Sequence, residues 1–239
     1  MNLKTYLLTR QSVIDRALDR YLPKANTKPA TLHRAMRYSL FAGGKRLRPI
    51  LCLAAAESCR GKIDDALPFG CALECIHTYS LVHDDLPSMD NDDFRRGRPT
   101  CHKAFGEGIA VLAGDALLTI AFEIVSRAKP RPRYDMSTLL REIAVAAGSR
   151  KLIAGQVADL EAEGKNVNRR ELQFIHENKT AAMLTSSVKL GAMCADAMPD
   201  EFAALEKFGM ATGLAFQIID DILDVTQTSE KLGKSASMG

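Results

Sequence analysis

The chain has 239 residues, 46% of them hydrophobic and 26% charged, with 32 Lys and Arg against 29 Asp and Glu for a formal charge of +3. That composition excludes a disordered chain and a disulfide scaffold, and so small a net charge excludes capture of nucleic acid or an anionic membrane by bulk attraction. Asp115 interrupts the longest apolar run, between Ala110 and Phe122, and no signal-peptide core opens the chain, so a cytoplasmic protein with no integral membrane segment is expected.

Apolar residues recur at spacings of three and four and strand alternation is scarce, which predicts an all-α, single-domain protein over residues 1–239. In chain order the predicted helices are Leu3 to Tyr21, Pro29 to Ala42, Leu47 to Cys59, Ile63 to Asp85 and Ala110 to Ala128. Met136 to Glu163, Arg169 to Cys194 and Pro199 to Asp224 complete the set. Between them lie stretches rich in Gly, Pro, Asn or charge, the longest running from Pro87 to Gly108. The six cysteines form no CxxC pair, and Cys71 and Cys75 stand at helical spacing, which predicts buried free thiols.

Two acidic clusters stand out. His83-Asp84-Asp85-Leu86-Pro87-Ser88-Met89-Asp90-Asn91-Asp92-Asp93 puts five aspartates at the end of an apolar helix. Carboxylates there oppose the helix dipole and one another, so a compensating cation is required. Asp220-Asp221-Ile222-Leu223-Asp224 repeats the pattern, with Asp220 and Asp224 one turn apart. Mg²⁺ is held by one or two carboxylates together with phosphates and water, so two such clusters suit Mg²⁺ ions bridging to a diphosphate.

Cations accompany both clusters. Gly43-Gly44-Lys45-Arg46-Leu47-Arg48-Pro49 joins two glycines to three cations just before a helix, an anion site in which Lys45 and Arg48 can face one ligand. Arg95-Arg96-Gly97-Arg98 follows the first acidic cluster, and His77 lies two turns before Asp84 on roughly the same helix face.

These motifs resemble the trans-isoprenyl diphosphate synthases, or polyprenyl synthetases, and among them the bacterial farnesyl diphosphate synthases. The resemblance is carried by GGKRLRP (43–49), ECIHTYSLVHDDLPSMDNDDFRRGRPTCH (74–102), LAGDALL (112–118), GQVADLEAE (155–163), Lys179-Thr180, GLAFQIIDDILDV (213–225) and LGK (232–234). It implies a helical bundle around a deep apolar cavity, usually a homodimer, joining an allylic diphosphate to isopentenyl diphosphate with Mg²⁺, three ions when diphosphate is bound. By position it implies Asp84, Asp85, Asp90, Asp220 and Asp224 as metal ligands. Gly44, Lys45, Arg48, His77 and Arg96 match the isopentenyl diphosphate site, while Arg95, Lys179, Thr180, Gln217 and Lys234 match the allylic diphosphate and its ionising end. The resemblance also implies helices after the second acidic motif, so the chain is expected to continue past Gly239 in the cell.

Tyr79, five residues before Asp84, matches an aromatic that helps floor the cavity in bacterial farnesyl synthases, which favours a C15 product over the C20 of geranylgeranyl synthases. The alternative is a core aromatic packed on a neighbouring helix. Three further readings remain: an HD-type phosphohydrolase, which leaves the second cluster unexplained; a terpene cyclase, which needs no Lys45, Arg48 and His77; and a non-catalytic synthase-like subunit, expected to lose an acidic motif.

Overall fold

The structure, a computed structural model, describes residues 2–226, without the side chains of 220, 221 and 223–226. It is all-α apart from one short hairpin. Helix α1 (Leu3–Tyr21) begins where the Asn2 side chain accepts the Thr5 amide at 2.9 Å, a side-chain cap on an otherwise unpaired donor. Then follow α2 (Ala30–Leu40), α3 (Leu47–Ser58) and α4 (Ile63–Asp84). Because α4 is apolar on several sides, it can be surrounded, and it packs against α3 and α6 (Glu107–Ser126) as well as α10 (Ala182–Cys194). Phe69, Leu73 and Ile76 of α4 are almost wholly removed from water.

All six cysteines are free and buried, as predicted. Residues 107–126 and 199–219 are long and apolar enough to cross a membrane by length and composition alone. In α6, however, Ala113, Leu117, Ile120 and Ile124 are buried in the core shared with α4.

Three local features depart from the predicted elements. The stretch from Pro87 to Gly108 contains β1 (Phe94–Arg95) and β2 (Arg98–Pro99), antiparallel, and α5 (Cys101–Phe105). Arg96 and Gly97 between the strands have φ of 53° and 73°, the left-handed pair that a two-residue hairpin turn with matching twist requires. The helix predicted from Met136 to Glu163 is two, α7 (Met136–Ala147) and α8 (Leu152–Ala162), parted at Gly148 to Lys151. The helix predicted from Arg169 to Cys194 is continuous but not uniform: α9 (Arg169–Ile175) passes through a π segment (His176–Ala181) into α10. Last comes α11 (Pro199–Thr226), packed on α10 and the π segment.

Candidate active site

The end of α4 is built against its own electrostatics. Asp84 is its last residue, and the chain turns back so that the Asp90 amide donates to the Asp84 carbonyl at 2.8 Å. Only 7% of Asp84 is exposed. Burial pushes its carboxyl up to about 7, with Lys179 pulling down and Asp90 adding to the rise. Burial also raises Asp90, opposed by Lys179 and reinforced by Asp159 and Asp92.

Asp85 is differently placed. The hairpin brings Arg95 Nε to 2.7 Å and 3.0 Å from its two carboxylate oxygens, and the guanidinium also reaches Oδ1 at 2.6 Å. A forked ion pair of this kind is strong and directional. It engages Asp85 with Arg95 and aims that guanidinium, while Asp85 as a metal ligand rests on the resemblance alone.

The basic loop divides its cations in the same manner. Arg46, at φ 52°, turns inward to Asp15 and Glu74, each at 2.9 Å, and to the Leu40 carbonyl at 2.8 Å. Lys45 is left exposed and Arg48 half-buried. Gly44 has φ +123°, and a Cβ there would stand 2.7 Å from the Arg96 guanidinium, which itself donates to the Gly43 carbonyl at 2.5 Å. Only glycine meets both conditions.

Two cavities meet across a shared wall of Arg48, His77, Arg96 and Phe216. One, of about 520 Å³, is lined also by Gly44, Lys45 and Arg46. The other, of about 250 Å³, is lined also by Asp84, Arg95, Lys179 and Thr180, with Ser80, Leu81, Leu152 and Met183 as its less polar part. His77 faces cations from both motifs: burial first, then Arg48, Arg96, Arg95 and Arg46, hold its imidazole well below the usual value. Lys179 Nζ lies 2.5 Å from Asp159 on α8. Burial works to lower the Lys179 ammonium, but Asp159, Asp84 and Asp90 outweigh it and keep it charged.

The structure therefore gathers Gly44, Lys45, Arg48, His77, Asp84, Arg95, Arg96, Lys179 and Thr180 around adjoining cavities. Gln217 is half-buried on α11 next to Phe216 and does not line either cavity. The α11 backbone carries Asp220 one turn beyond Phe216, while the side chains of Asp220 and Asp224, and all of Lys234, lie outside the described residues. Tyr79 is buried in the main core with its ring 5.7 Å edge-on from His83, and Ser80 rather than Tyr79 lines the cavity.

Two residues that sequence reasoning left without a role belong here. Gln156 lines the smaller cavity, and its amide nitrogen is buried there without a hydrogen-bond partner. Asp159, three residues on, holds Lys179. Their spacing of three, which puts both on one helix face, was the available signal.

Among the described residues no three metal-ligating side chains converge. Asp84 and Asp90 nonetheless fit Mg²⁺, because two carboxylates raised by burial beside a basic cavity match an ion whose remaining ligands are phosphate and water.

Fold and site together define an all-helical protein with two adjoining cavities on whose walls basic and acidic side chains converge. The polyprenyl synthetase family model matches residues 29–238, and the chain belongs to that family. It is 50% identical over 238 residues to the heterodimeric geranylgeranyl pyrophosphate synthase large subunit 1 of Arabidopsis thaliana, covering 97% of this chain and 64% of that one. It is 48% identical to the geranylgeranyl diphosphate synthase of Cyanophora paradoxa, with 98% and 78% covered. Thus the chain spans about two thirds of the length of such relatives. An apo FPP/GFPP synthase structure from Zymomonas mobilis superposes with a TM-score of 0.88 at 40% identity, over 95% of this chain and 83% of that one. A Helicobacter pylori geranyltransferase complexed with magnesium and isoprenyl diphosphate gives 0.86 at 34% identity, over 99% and 80%.

Proposed function

We propose that the protein is a short-chain trans-prenyltransferase that condenses isopentenyl diphosphate with an allylic diphosphate to give geranylgeranyl diphosphate. The observation that carries the reading is the pair of adjoining cavities, both lined by cations and the smaller one also by Asp84, sharing Arg48, His77 and Arg96. Two diphosphate substrates need such a pair, placed so that the double bond of one meets C1 of the other.

In this reading Lys45, Arg48 and Arg96 hold isopentenyl diphosphate, with neutral His77 donating to it without adding charge. Asp84 and Asp90 hold Mg²⁺, which supplies neutralisation of the departing diphosphate, and the Asp220 and Asp224 of the second motif complete that role. Arg95 and Lys179 stand at the same mouth to stabilise the leaving group as charge develops. Leu81, Leu152, Met183 and Phe216 keep water from the allylic cation. Thr180 and Gln156 offer the few polar atoms near it, and Gln217 is assigned to the same end by family position. Among the described residues no titratable side chain stands in the less polar part of the smaller cavity as a base, and in this reading the released diphosphate takes the proton.

The names of the curated relatives quoted above support a C20 product. A farnesyl product is the second reading, favoured by the match of Tyr79 to the bacterial farnesyl enzymes. A homodimer is part of the reading, its contact taking in the exposed Val111 and Leu112 on α6. Labelled isopentenyl diphosphate should be incubated with Mg²⁺ and dimethylallyl, geranyl or farnesyl diphosphate, and the dephosphorylated alcohols chromatographed. Elongation of farnesyl diphosphate to C20 is expected; products that stop at C15 would establish the second reading, and no extractable label would overturn both.

A further inference from the structure

A π turn holds one residue more than an α turn, and it survives inside a helix only where tertiary contacts fix it. Two glycines lie against this one. On one side is Gly155 of α8: a Cβ there would lie 2.3 Å from the Lys179 amide nitrogen, 2.7 Å from Lys179 Cα and 2.8 Å from the Asn178 carbonyl carbon. On the other is Gly213 of α11, whose Cβ would lie 2.6 Å from both Cα and Cβ of Ala181. Nearly all of these atoms are backbone and cannot swing aside. Two helices thus bring bare backbone against the segment that bears Lys179 and Thr180.

The helix that makes the first contact also serves the site. Gln156 follows Gly155 into the cavity wall, and Asp159, one turn on, takes the Lys179 ammonium. Were the π turn to relax to α geometry, the residues ahead of it would rotate by about 100° relative to α10. Lys179 would then leave the side of the bundle on which Asp84 stands.

We propose that Gly155 and Gly213 are positioning residues, which clamp the π segment from two sides and so set where Lys179 and Thr180 stand relative to Asp84. The proposal rests on the diphosphate-binding reading above and adds to it the parts that hold the site in register. An alanine at either position is compatible with a helix by propensity, so its effect should come from crowding the segment.

The test measures binding of inorganic pyrophosphate with Mg²⁺ by calorimetry, and KM for each substrate, on the full chain. Gly155→Ala and Gly213→Ala, shown folded by circular dichroism, should each weaken pyrophosphate at least tenfold and raise the allylic KM similarly. The isopentenyl KM should stay within twofold, a split that general loosening of the fold would not give. Gly209→Ala, one turn earlier on α11 and 3.0 Å from Thr185 Cα, should bind pyrophosphate as the wild type does. If neither crowding variant folds, Ala181→Gly loosens the same contact without crowding it. It should speed amide exchange over residues 176–181 and weaken pyrophosphate about threefold or more. Wild-type pyrophosphate binding in the folded glycine variants, or in Ala181→Gly where those do not fold, would overturn the proposal. A wild-type chain that binds no magnesium pyrophosphate would overturn the underlying reading, and the proposal with it.

Discussion

Helix α4 carries a pair of aspartates at each end, and the two pairs obey opposite rules. Asp64 and Asp65 lie in its first turn, where a negative charge complements the unpaired amides, and Asp65 also meets Arg131. Asp84 and Asp85 close its last turn, where the dipole repels them, and both are buried. The first pair stabilises the helix, whereas the second costs stability unless a cation comes to it. Arg95 is that cation for Asp85. For Asp84 the described residues supply Lys179, itself tied to Asp159, and Arg95, itself forked onto Asp85, and in the proposed function the rest of the compensation is left to the ligand.

The largest expected effect breaks the acidic end. Asp84→Asn removes a proposed metal ligand and a buried carboxylate together. Turnover should fall by about 10²–10³-fold or more, in the range seen when a transition-state charge loses one preorganised partner. The melting temperature of the ligand-free protein should hold or rise, because the amide needs no counter-charge. A variant that melts well below the wild type would mean that Asp84 is a structural partner of Lys179.

Next in size is the loss of one cation from the shared wall. Arg48→Ala should weaken isopentenyl diphosphate about ten- to a hundredfold, the value of a charge-assisted contact of roughly 1.5–3 kcal/mol. Lys45→Ala should do the same to a lesser degree, since Lys45 is exposed and solvent screens it. If either change acted on the allylic substrate alone, the division of cations between the two cavities would be wrong.

What could be read from the sequence follows the same divide between local and tertiary causes. The bundle was legible because apolar spacing of three and four is a local signal, and α1 and α3 end within a residue of prediction. The acidic and basic motifs were legible because clustered charge at helix ends violates a local rule, which marks function. The split between α7 and α8 was not, since Gly148 sits within an apolar pattern that runs through it. Nor was the π segment, for His176 to Ala181 reads as ordinary helix and is distinguished only by α8 and α11 pressing on it. Asp85 shows the same limit: the resemblance grouped it with the metal ligands, and its ion pair with Arg95 is seen only once the hairpin folds back.

His77 lies between the two ends of α4 and sharpens their comparison through pH. Its imidazole is held well below its ordinary value in the fold, first by burial and then by the surrounding arginines. The unfolded chain therefore takes up a proton near pH 6.5 that the folded chain refuses, and the stability this confers is present above that pH and lost below it. His77→Gln should flatten the acid limb of the stability curve by up to about 1.4 kcal/mol per pH unit below about 6.5. In NMR, the His77 ring resonances should pass through pH 6.5 without titrating. A ring that titrates near 6.5 would mean that the arginine wall is too open to solvent to act on it.

The smallest effect belongs to the first turn of α4. Asp64 is exposed and pairs with no cation among the described residues, so its expected contribution is that of the helix dipole. Asp64→Asn should cost about 0.3–1 kcal/mol, or roughly 1–4 °C for a domain of this size. Turnover and pyrophosphate binding should be unchanged, because the site lies at the other end of a 22-residue helix, about 30 Å away at 1.5 Å per residue. Set beside Asp84→Asn, the two substitutions should move stability and activity in crossed directions: one removes a charge that the fold uses, the other a charge that it only tolerates. Should Asp64→Asn lower activity as Asp84→Asn does, strain would have to pass along α4 from end to end, and the assignment of its two termini to stability and to chemistry would fail.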